Sequence, residues 1–326
     1  MQYRKIGKWG VKLSSIGLGS YLTIGFKNDK KTTQDTINKY YDGGVNFFDT
    51  ADAYNNGEAE RALGESLAGF PRQNLFLLTK CWAPMSGEIN DRGLSAKHIF
   101  ESCHNSLKRL RTDYLDVLMC HRPDPDTPLE ETIRAMEDLI RQGKVLYWGI
   151  SEWPAHWIAR ANRVAAEIGA RPITVSEPRY NLLYRYPERN LFPATEAEGI
   201  GNVVFSSLAH GMLTGKYKPG QQAPKGTRAA DNETNTIIKG MYWSEENKKR
   251  GEELVKIASE LDITAAQLST AWCLQNPAVT SVITGATKMS QAEENLKAAD
   301  IEIPDEIMKK LDELYPTVET VESEGL

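Results

Sequence analysis

Residues 45–64 read VNFFDTADAYNNGEAERALG, a stretch that contains a strand, a polar turn and the start of a helix. Its apolar beginning predicts a buried strand that ends at the carboxylate of Asp49, and the turn then carries Tyr54 into a helical pattern from about Gly57. In a barrel of parallel strands the C-terminal strand ends carry the chemistry, so Asp49 and Tyr54 are expected to face one pocket. Taken alone, the two residues also fit a turn acid and a surface tyrosine.

Strand and helix patterns alternate along the whole chain, which predicts an α/β fold of the closed (β/α)8 TIM-barrel type. The strand-like runs are apolar, as strands buried on both faces of a parallel sheet are, and they span residues 16–19, 45–48, 75–79, 114–119, 145–150, 173–177, 203–206 and 279–283. Helical patterns cover residues 33–42, 57–68, 95–109, 128–142, 154–168, 190–199, 244–260 with 264–275, and 290–299. A doubly wound sheet would show the same alternation, and the count of eight strands favours the barrel.

Segments outside the eight repeats carry their own signals. Residues 2–5 and 11–14 predict an N-terminal β-hairpin. From residue 211 to 240 Gly, Pro, Thr, Asn and Lys dominate, and we expect a long functional loop after the seventh strand. No linker rich in Gly, Pro or Ser divides the chain, so residues 1–326 are expected to form a single domain. The acidic tail, residues 317–326, is expected to fray or to lie over the surface.

Composition narrows the classes of function. The 326 residues carry a net charge of −5, with 40% hydrophobic and 25% charged side chains, which is typical of a globular protein. Phosphate binding over a surface needs clustered basic residues, so we expect no nucleic-acid partner. No apolar run approaches the roughly 18 residues that cross a bilayer, and the N-terminus lacks the apolar block of a signal peptide; we expect no membrane insertion and a cytoplasmic location. The four cysteines form no Cys-x-x-Cys pair and are expected to be free thiols.

A polar side chain stands at the end of most of the predicted strands. These residues are Asp49, Lys80, His121, Ser151, Glu177 and Ser206. A lysine after an apolar run more often reaches solvent, and a lone histidine is more often structural. Together they predict a polar ring at the face where barrels hold their active sites.

An Asp, a Tyr, a Lys and a His in one pocket favour proton donation by the tyrosine. A phenol with a pKa of about 10 is a weak acid, and a neighbouring ammonium is expected to lower that pKa. A carboxylate beyond the lysine keeps the ammonium charged, and a histidine can donate a hydrogen bond to a carbonyl oxygen. The reaction class is reduction of an aldehyde or ketone, or its reverse. None of these side chains carries a hydride, so a cofactor is required.

From about residue 3 to residue 314 the sequence resembles the aldo-keto reductases. The motifs that carry the resemblance are Gly17-Leu18-Gly19, Phe48-Asp49-Thr50-Ala51-Asp52-Ala53-Tyr54, Leu78-Thr79-Lys80, Asp113-Tyr114-Leu115-Asp116, His121-Arg122-Pro123-Asp124, Gly149-Ile150-Ser151, Ile283-Thr284-Gly285-Ala286-Thr287 and Glu294-Asn295. Residues 122–132 are most similar to the branch that includes the β-subunits of voltage-gated potassium channels and their bacterial relatives.

The resemblance implies a catalytic tetrad of Asp49, Tyr54, Lys80 and His121, with Tyr54 as the acid, and an NADP(H) cofactor lying across the barrel mouth under the long loop. Ser151 and Glu177 would hold the carboxamide and Phe205 would stack on the nicotinamide. The other implied contacts are Ser20, Tyr21, Ser206, Leu208, Gly211, Lys216, Arg228, Gly285, Thr287, Lys288, Gln291, Glu294 and Asn295.

The residues themselves give part of this cofactor site. Gly285 to Lys288 precede a predicted helix N-terminus, which suits a phosphate. Lys288 and Arg228 can pair with a 2′-phosphate, which favours NADPH over NADH. The same residues also fit a helix-start glycine and two surface cations. Gly17-x-Gly19 has no third glycine at the spacing of a Rossmann fingerprint.

Two positions depart from the family pattern. Glu177 stands where the family usually has a glutamine, and an ionised glutamate cannot donate to a carboxamide oxygen. Glu152 stands where many members have an asparagine after Ser151. Both departures concern the carboxamide end of the implied cofactor site.

Other functions remain open from the sequence. A low-turnover NADPH-binding regulatory subunit acting on a protein partner is one alternative; among channel-subunit relatives position 121 varies, whereas this chain has His121. A barrel hydrolase with His and Asp on a metal is another, although no close ligand pair such as His-x-His occurs, and we expect no metal. The resemblance suggests a homo-oligomer, with a tetramer as the expected state, that acts on a small carbonyl substrate of unspecified identity.

Overall fold

The computed structural model describes residues 1–317 of the chain. The expectation for the acidic tail therefore lies outside the described residues from position 318 onward. The strands are Tyr3–Lys5 (β1), Lys12–Ser14 (β2), Ile16–Gly19 (β3), Phe47–Asp49 (β4), Phe76–Cys81 (β5), Leu115–Cys120 (β6), Val145–Ser151 (β7), Val175–Glu177 (β8), Gly201–Val204 (β9) and Val279–Thr284 (β10).

Strands β3 to β10 form a closed parallel barrel in chain order, with β10 pairing back onto β3. The predicted (β/α)8 barrel and its N-terminal hairpin, β1 paired antiparallel to β2, are confirmed. Each predicted barrel strand overlaps an observed one. The seventh is displaced by two residues, ending at Val204 rather than at Ser206, because Ser206 has a positive φ of 60° that a strand cannot accommodate.

The helices are Lys30–Asp42 (α1), Glu58–Leu67 (α2), Ala96–Leu110 (α3), Leu129–Arg141 (α4), Ala155–Glu167 (α5), Leu191–Glu198 (α6), Thr236–Met241 (α7), Glu245–Ser259 (α8), Ala265–Gln275 (α9), Met289–Lys297 (α10) and Asp305–Leu314 (α11). Several begin at side-chain caps: Ser95 accepts a hydrogen bond from the amide of His98, and Thr264 forms a capping box with Gln267. The sequence did not predict α7 or α11.

Two hydrophobic clusters lie on the two sides of the barrel wall. The larger one lies between the strands and the helices, and a smaller one fills the barrel interior. Alternate residues of each strand point inward, among them Phe47, Leu78, Met119, Val175 and Val203.

The N-terminal hairpin closes the bottom of the barrel. Ile6 and Leu13 are fully buried and belong to the interior cluster. The backbone amide of Lys8 donates to the carbonyl of Gly199, and the guanidinium of Arg4 donates to the carbonyls of Leu274 and Val279. The interior is therefore sealed at the end opposite the C-terminal strand ends.

Glycines in β3 give the interior room. A Cβ on Gly17 would lie 2.4 Å from the ring of Phe47, and one on Gly19 would lie 2.6 Å from Ile283. Since real Cβ atoms do not approach this closely, β3 can pass these side chains only with glycine at both positions.

The segment after β9, residues 205–244, forms a strap over the barrel mouth. It contains short 3-10 helices at Ala209–Thr214 and Arg228–Ala230 and then α7, so the predicted loop is partly helical. The ammonium of Lys27, from the loop after β3, lies 2.8 Å from a carboxylate oxygen of Asp231 and 2.9 Å from one of Glu233. These ion pairs fasten the strap across the mouth.

Candidate active site

The polar side chains at the barrel mouth continue the inward-facing positions of their strands. Asp49 lies two residues after Phe47, Lys80 two after Leu78, and Glu177 two after Val175. Side chains alternate along a strand, so residues two apart point to the same side. The three polar side chains therefore point into the barrel, one layer closer to its mouth than the apolar ones. All three are buried.

Lys80 and Asp49 form an ion pair on the floor of the site. The ammonium of Lys80 donates hydrogen bonds to Asp49 Oδ1 and, at 3.0 Å, to the carbonyl of Thr50. Burial lowers the pKa of Lys80, but the carboxylates of Asp49 and Glu177 outweigh burial, and the net shift is upward. Lys80 is therefore held as a cation.

Tyr54 lies on the turn after β4, above Lys80. The turn ends where Asn55, Asn56 and Gly57 adopt positive φ values, and α2 follows. The ammonium of Lys80 lies 3.4 Å from the Tyr54 hydroxyl oxygen. Burial raises the pKa of Tyr54, and Lys80 lowers it without reversing the shift. The expectation of a lowered pKa is wrong for the free protein, because burial outweighs the ammonium; Tyr54 is a phenol that holds its proton.

His121 follows β6 and stands beside Tyr54. The two rings meet edge to face, with centroids 5.8 Å apart. Burial lowers the pKa of His121 to about 2, with Lys80 and Arg122 adding to the shift. Its imidazole is therefore neutral and can donate one hydrogen bond. The Nδ1 atom has no hydrogen-bond partner among the described residues.

These side chains open into an elongated cavity of about 940 Å³. Most of the residues proposed from the sequence line it: Asp49, Tyr54, His121, Tyr21, Ser151, Glu177, Phe205, Ser206, Leu208, Gly211, Lys216, Arg228, Gly285, Thr287, Gln291, Glu294 and Asn295. Three do not. Lys80 lies beneath the floor, Ser20 is buried with its hydroxyl donating to that of Thr50 at 2.9 Å, and Lys288 is exposed just before α10.

The strap supplies a positively charged section of the cavity. The guanidinium of Arg228 donates to His210 Nδ1 at 2.9 Å, and His210 Nε2 lies 3.2 Å from the hydroxyl of Ser206. Burial lowers the pKa of Lys216, and Arg228 and Lys288 lower it further. Neither Lys216 nor Arg228 forms an ion pair with a carboxylate of residues 1–317.

A further section of the cavity lies at the start of α10. Gln291 accepts hydrogen bonds from the amide and the hydroxyl of Thr287. The amide of Asn295 donates to the carbonyl of Gly285 at 3.2 Å and to the hydroxyl of Tyr40 at 2.9 Å. Glu294 accepts a hydrogen bond from the hydroxyl of Thr264. The first two turns of α10, with the residues just before them, thus present a preorganised polar wall.

Sequence reasoning missed several residues of the cavity. Arg122 lines it and donates to the hydroxyl of Ser151 at 3.3 Å. His210 accepts a hydrogen bond from Arg228, and Lys27 forms an ion pair with Asp231 that fastens the strap. Arg122 stands in a motif quoted above, which was the available signal; the others depend on contacts between distant parts of the chain.

Neither a membrane-spanning helix nor a metal-binding cluster occurs among the described residues. No helix within residues 1–317 is both long and apolar enough to cross a membrane. In the same range no group of three or more His, Cys, Asp or Glu side chains is arranged to hold a metal ion. The four cysteines are free and buried.

Comparison with known proteins gives the class of the chain. The sequence model of the Aldo/keto reductase family matches residues 15–316, and the chain belongs to that family. Its relatives include a probable voltage-gated potassium channel subunit beta of Arabidopsis thaliana, 43% identical over 92% of each chain. The corresponding protein of Oryza sativa subsp. japonica is 42% identical over 92% of each chain. A putative subunit of Schizosaccharomyces pombe is 38% identical over 96% of this chain and 92% of its own.

Proposed function

We propose that the protein is an NADPH-dependent oxidoreductase that reduces aldehydes or ketones to alcohols, with Tyr54 as the general acid. The observation that carries the proposal is the convergence of Tyr54, Lys80 and His121 at one point of the cavity, with the lysine ammonium 3.4 Å from the phenol oxygen. Membership of the aldo-keto reductase family supports an oxidoreductase.

The cavity fits a nicotinamide dinucleotide. Lys216 and Arg228 are cations with no carboxylate partner among the described residues, and they suit the phosphates. At another part of the cavity, His121 Nδ1 is buried without a hydrogen-bond partner among the described residues, as expected of a group that awaits a ligand. When bound, the dinucleotide supplies the hydride that no side chain can supply.

The side chains divide the remaining chemistry. Tyr54 gives its proton to the carbonyl oxygen as negative charge develops there, and the alcohol keeps that proton. Lys80 stabilises the phenolate left behind, and Asp49 keeps Lys80 charged. His121, as a neutral imidazole, donates a hydrogen bond to the same oxygen and polarises the carbonyl.

We assign the remaining cavity residues to binding. Ser151 and Glu177 hold the carboxamide, and Phe205 stacks on the nicotinamide. The polar wall at the start of α10 holds the adenosine end. Arg228, with Lys288 at the rim, favours a 2′-phosphate and hence NADPH over NADH. The remaining contacts of the strap and mouth are Ser20, Tyr21, Ser206, Leu208 and Gly211.

The test follows NADPH oxidation with a panel of activated aldehydes. General acid catalysis contributes about 10²- to 10⁴-fold, so Tyr54→Phe should lower turnover by that factor. Tyr3→Phe, in the hairpin at the opposite end of the barrel, is the matched control and should retain the wild-type rate. Equal rates for wild type and Tyr54→Phe would refute the mechanism.

A second function is favoured by the names of the relatives. Proteins 42% and 43% identical to this chain are described as probable potassium channel β-subunits, so an NADPH-binding subunit that acts on a protein partner is the alternative. Tight NADPH binding with no turnover across the panel, together with capture of a membrane protein partner, would support it. Turnover that depends on Tyr54 and His121 would favour the enzyme.

We further propose that the chain forms one domain, resides in the cytoplasm and assembles as a homo-oligomer, with a tetramer as the expected state. Light scattering of the purified protein measures the assembly, and cell fractionation tests the location. Limited proteolysis that released a stable fragment smaller than the barrel would contradict a single domain.

A further inference from the structure

Glu177 has surroundings that an ordinary binding glutamate does not have. Its side chain is 4% exposed, and its Oε2 atom lies 3.3 Å from the ammonium of Lys80. At this ion-pair distance Oε2 makes no hydrogen bond of regular geometry within the described part of the chain, although the carboxyl group interacts with the side chains of both Lys80 and Asp49. The hydrogen bonds of the Lys80 ammonium go instead to Asp49, Thr50 and Tyr54.

The charged and titratable groups around Glu177 come from four segments. Asp49 faces it from β4, Tyr54 from the following turn, Lys80 from β5 and Arg122 from the loop after β6. The neighbouring strand β7 contributes only the hydroxyl of Ser151, which donates to the Glu177 backbone carbonyl at 3.0 Å. Two carboxyl groups therefore compete for one buried ammonium, while Arg122 stands farther out at the mouth.

One of the two carboxyl groups has to hold a proton, because two carboxylates sharing a buried site do not both ionise readily. Burial raises the pKa of Asp49 too, but Asp49 receives the direct hydrogen bond from Lys80 and is the better anion. Burial raises the pKa of Glu177 well above its usual value, and repulsion by Asp49 adds to the shift. With one proton on Glu177, Asp49 and Lys80 balance each other.

A protonated carboxyl group has a donor that a carboxylate lacks. Glutamine, which the family usually has at this position, can both donate and accept, and an ionised glutamate can only accept. A neutral Glu177 restores the donor and accepts through its other oxygen. A neutral Glu177 can therefore make the same hydrogen bonds as a glutamine, but only at pH values at which it keeps its proton.

We propose that Glu177 binds the nicotinamide carboxamide as an uncharged acid that donates to the carboxamide oxygen, so that cofactor affinity falls with rising pH as Glu177 loses its proton. This inference rests on the proposed cofactor site. Glu177 acts here as a binding and positioning residue, while Tyr54 remains the proton donor to substrate.

The main test is the dissociation constant of NADPH for the full-length protein, measured by fluorescence from about pH 7 upward, where the 2′-phosphate, with a second pKa of about 6, is already ionised. Once Glu177 ionises in the free protein, the wild-type dissociation constant should rise by up to about tenfold per pH unit. Glu177→Gln should bind as the wild type does at the lower pH and should lose this rise. Glu130→Gln removes an exposed carboxylate of α4 that does not line the cavity, and it should keep the wild-type pH dependence.

A second readout is the number of protons taken up on binding. Titration calorimetry in buffers of different ionisation enthalpy counts the protons taken up when NADPH binds. The wild type should take up a fraction of one proton, approaching one at alkaline pH, and Glu177→Gln should take up correspondingly less.

The outcomes separate the two proposals. Parallel pH dependences of wild type and Glu177→Gln, or no proton uptake by the wild type, would overturn the role of Glu177 and leave the cofactor site intact. Failure of the wild type to bind NADPH at any pH would overturn both. A rise confined to the proteins that retain Glu177, with matching proton uptake, supports the inference.

Discussion

The hydroxyl of Ser102 donates a hydrogen bond of 2.7 Å to the carboxyl group of Asp52, joining α3 to the turn that carries Tyr54. Asp52 is fully buried, and its other oxygen has no hydrogen-bond partner within residues 1–317. Burial raises the pKa of Asp52 to about 7, while the hydrogen bond from Ser102 opposes the shift. Asp52 has no role in the proposed chemistry, but it is a buried group that gains or loses a proton near neutral pH.

Asp52 should make stability depend on pH. An unfolded aspartate has a pKa of about 3.9, whereas the folded protein keeps the proton on Asp52 up to about pH 7. The stabilisation is therefore fully present below about pH 4 and is lost as pH rises towards 7, by up to about 1.4 kcal/mol per unit. Urea unfolding of wild type and Asp52→Asn should show that the difference between their free energies of unfolding falls over this window. A difference that stays constant with pH would contradict the prediction.

Replacing Lys80 by Met should affect both turnover and stability. The variant leaves Asp49 and Glu177 buried without a cation, and removing one partner of a buried ion pair costs about 3–5 kcal/mol. The loss should be largest at alkaline pH and smaller at acidic pH, where both carboxyl groups can take up protons. Carbonyl reduction should fall at least about 10²-fold. Lys97→Met, an exposed lysine of α3, is the control; equal behaviour of the two variants would contradict the assigned role.

The strap ion pairs should govern how fast the proposed cofactor leaves. Lys27→Met removes the pairs with Asp231 and Glu233, so stopped-flow displacement should show NADPH dissociating several-fold faster. Salt screens exposed ion pairs, and the gap between wild type and variant should close at high salt. Lys30→Met, which loses only the pair with Glu65 on the outer surface, should match the wild type. An unchanged rate in Lys27→Met would show that other contacts hold the strap.

The glycine at position 17 should be indispensable for packing. An alanine methyl group there would meet the ring of Phe47 at 2.4 Å, and overpacking of this kind typically costs about 1–3 kcal/mol. Thermal unfolding should therefore show a lowered melting temperature for Gly17→Ala. Gly10→Ala is a sharp control because nothing lies within 4 Å of its added Cβ. If both variants melt at the wild-type temperature, β3 has more freedom than the packing implies.

Local patterns were sufficient to predict the barrel and the sites of its polar ring. The two-residue alternation that buries Phe47 and Leu78 also aims Asp49 and Lys80 into the mouth, and such periodicity is legible in a single sequence. Except for the seventh barrel strand, which ends two residues earlier than predicted, the positions of the strand ends were therefore predictable, and with them the neighbourhood of Tyr54. Helix α7 was not, because it is one short element inside a polar strap.

Local sequence patterns could not predict the balance of effects that sets a pKa, nor the contacts between residues far apart in the chain. That burial outweighs Lys80 in setting the pKa of Tyr54 depends on how much water the whole fold excludes. The approach of Glu177 to Lys80 and the fastening of Lys27 to Asp231 join residues far apart in the chain. The sequence around one partner of such a pair gives no indication of which distant residue the other partner is.

The hairpin that seals the bottom of the barrel also limits the routes by which ligands can reach the site. With Ile6 and Leu13 packed into the interior, a molecule that reaches the polar ring must enter and leave at the C-terminal end of the barrel. The β-hairpin, although remote from every reacting atom, thereby restricts ligand exchange to one end of the barrel.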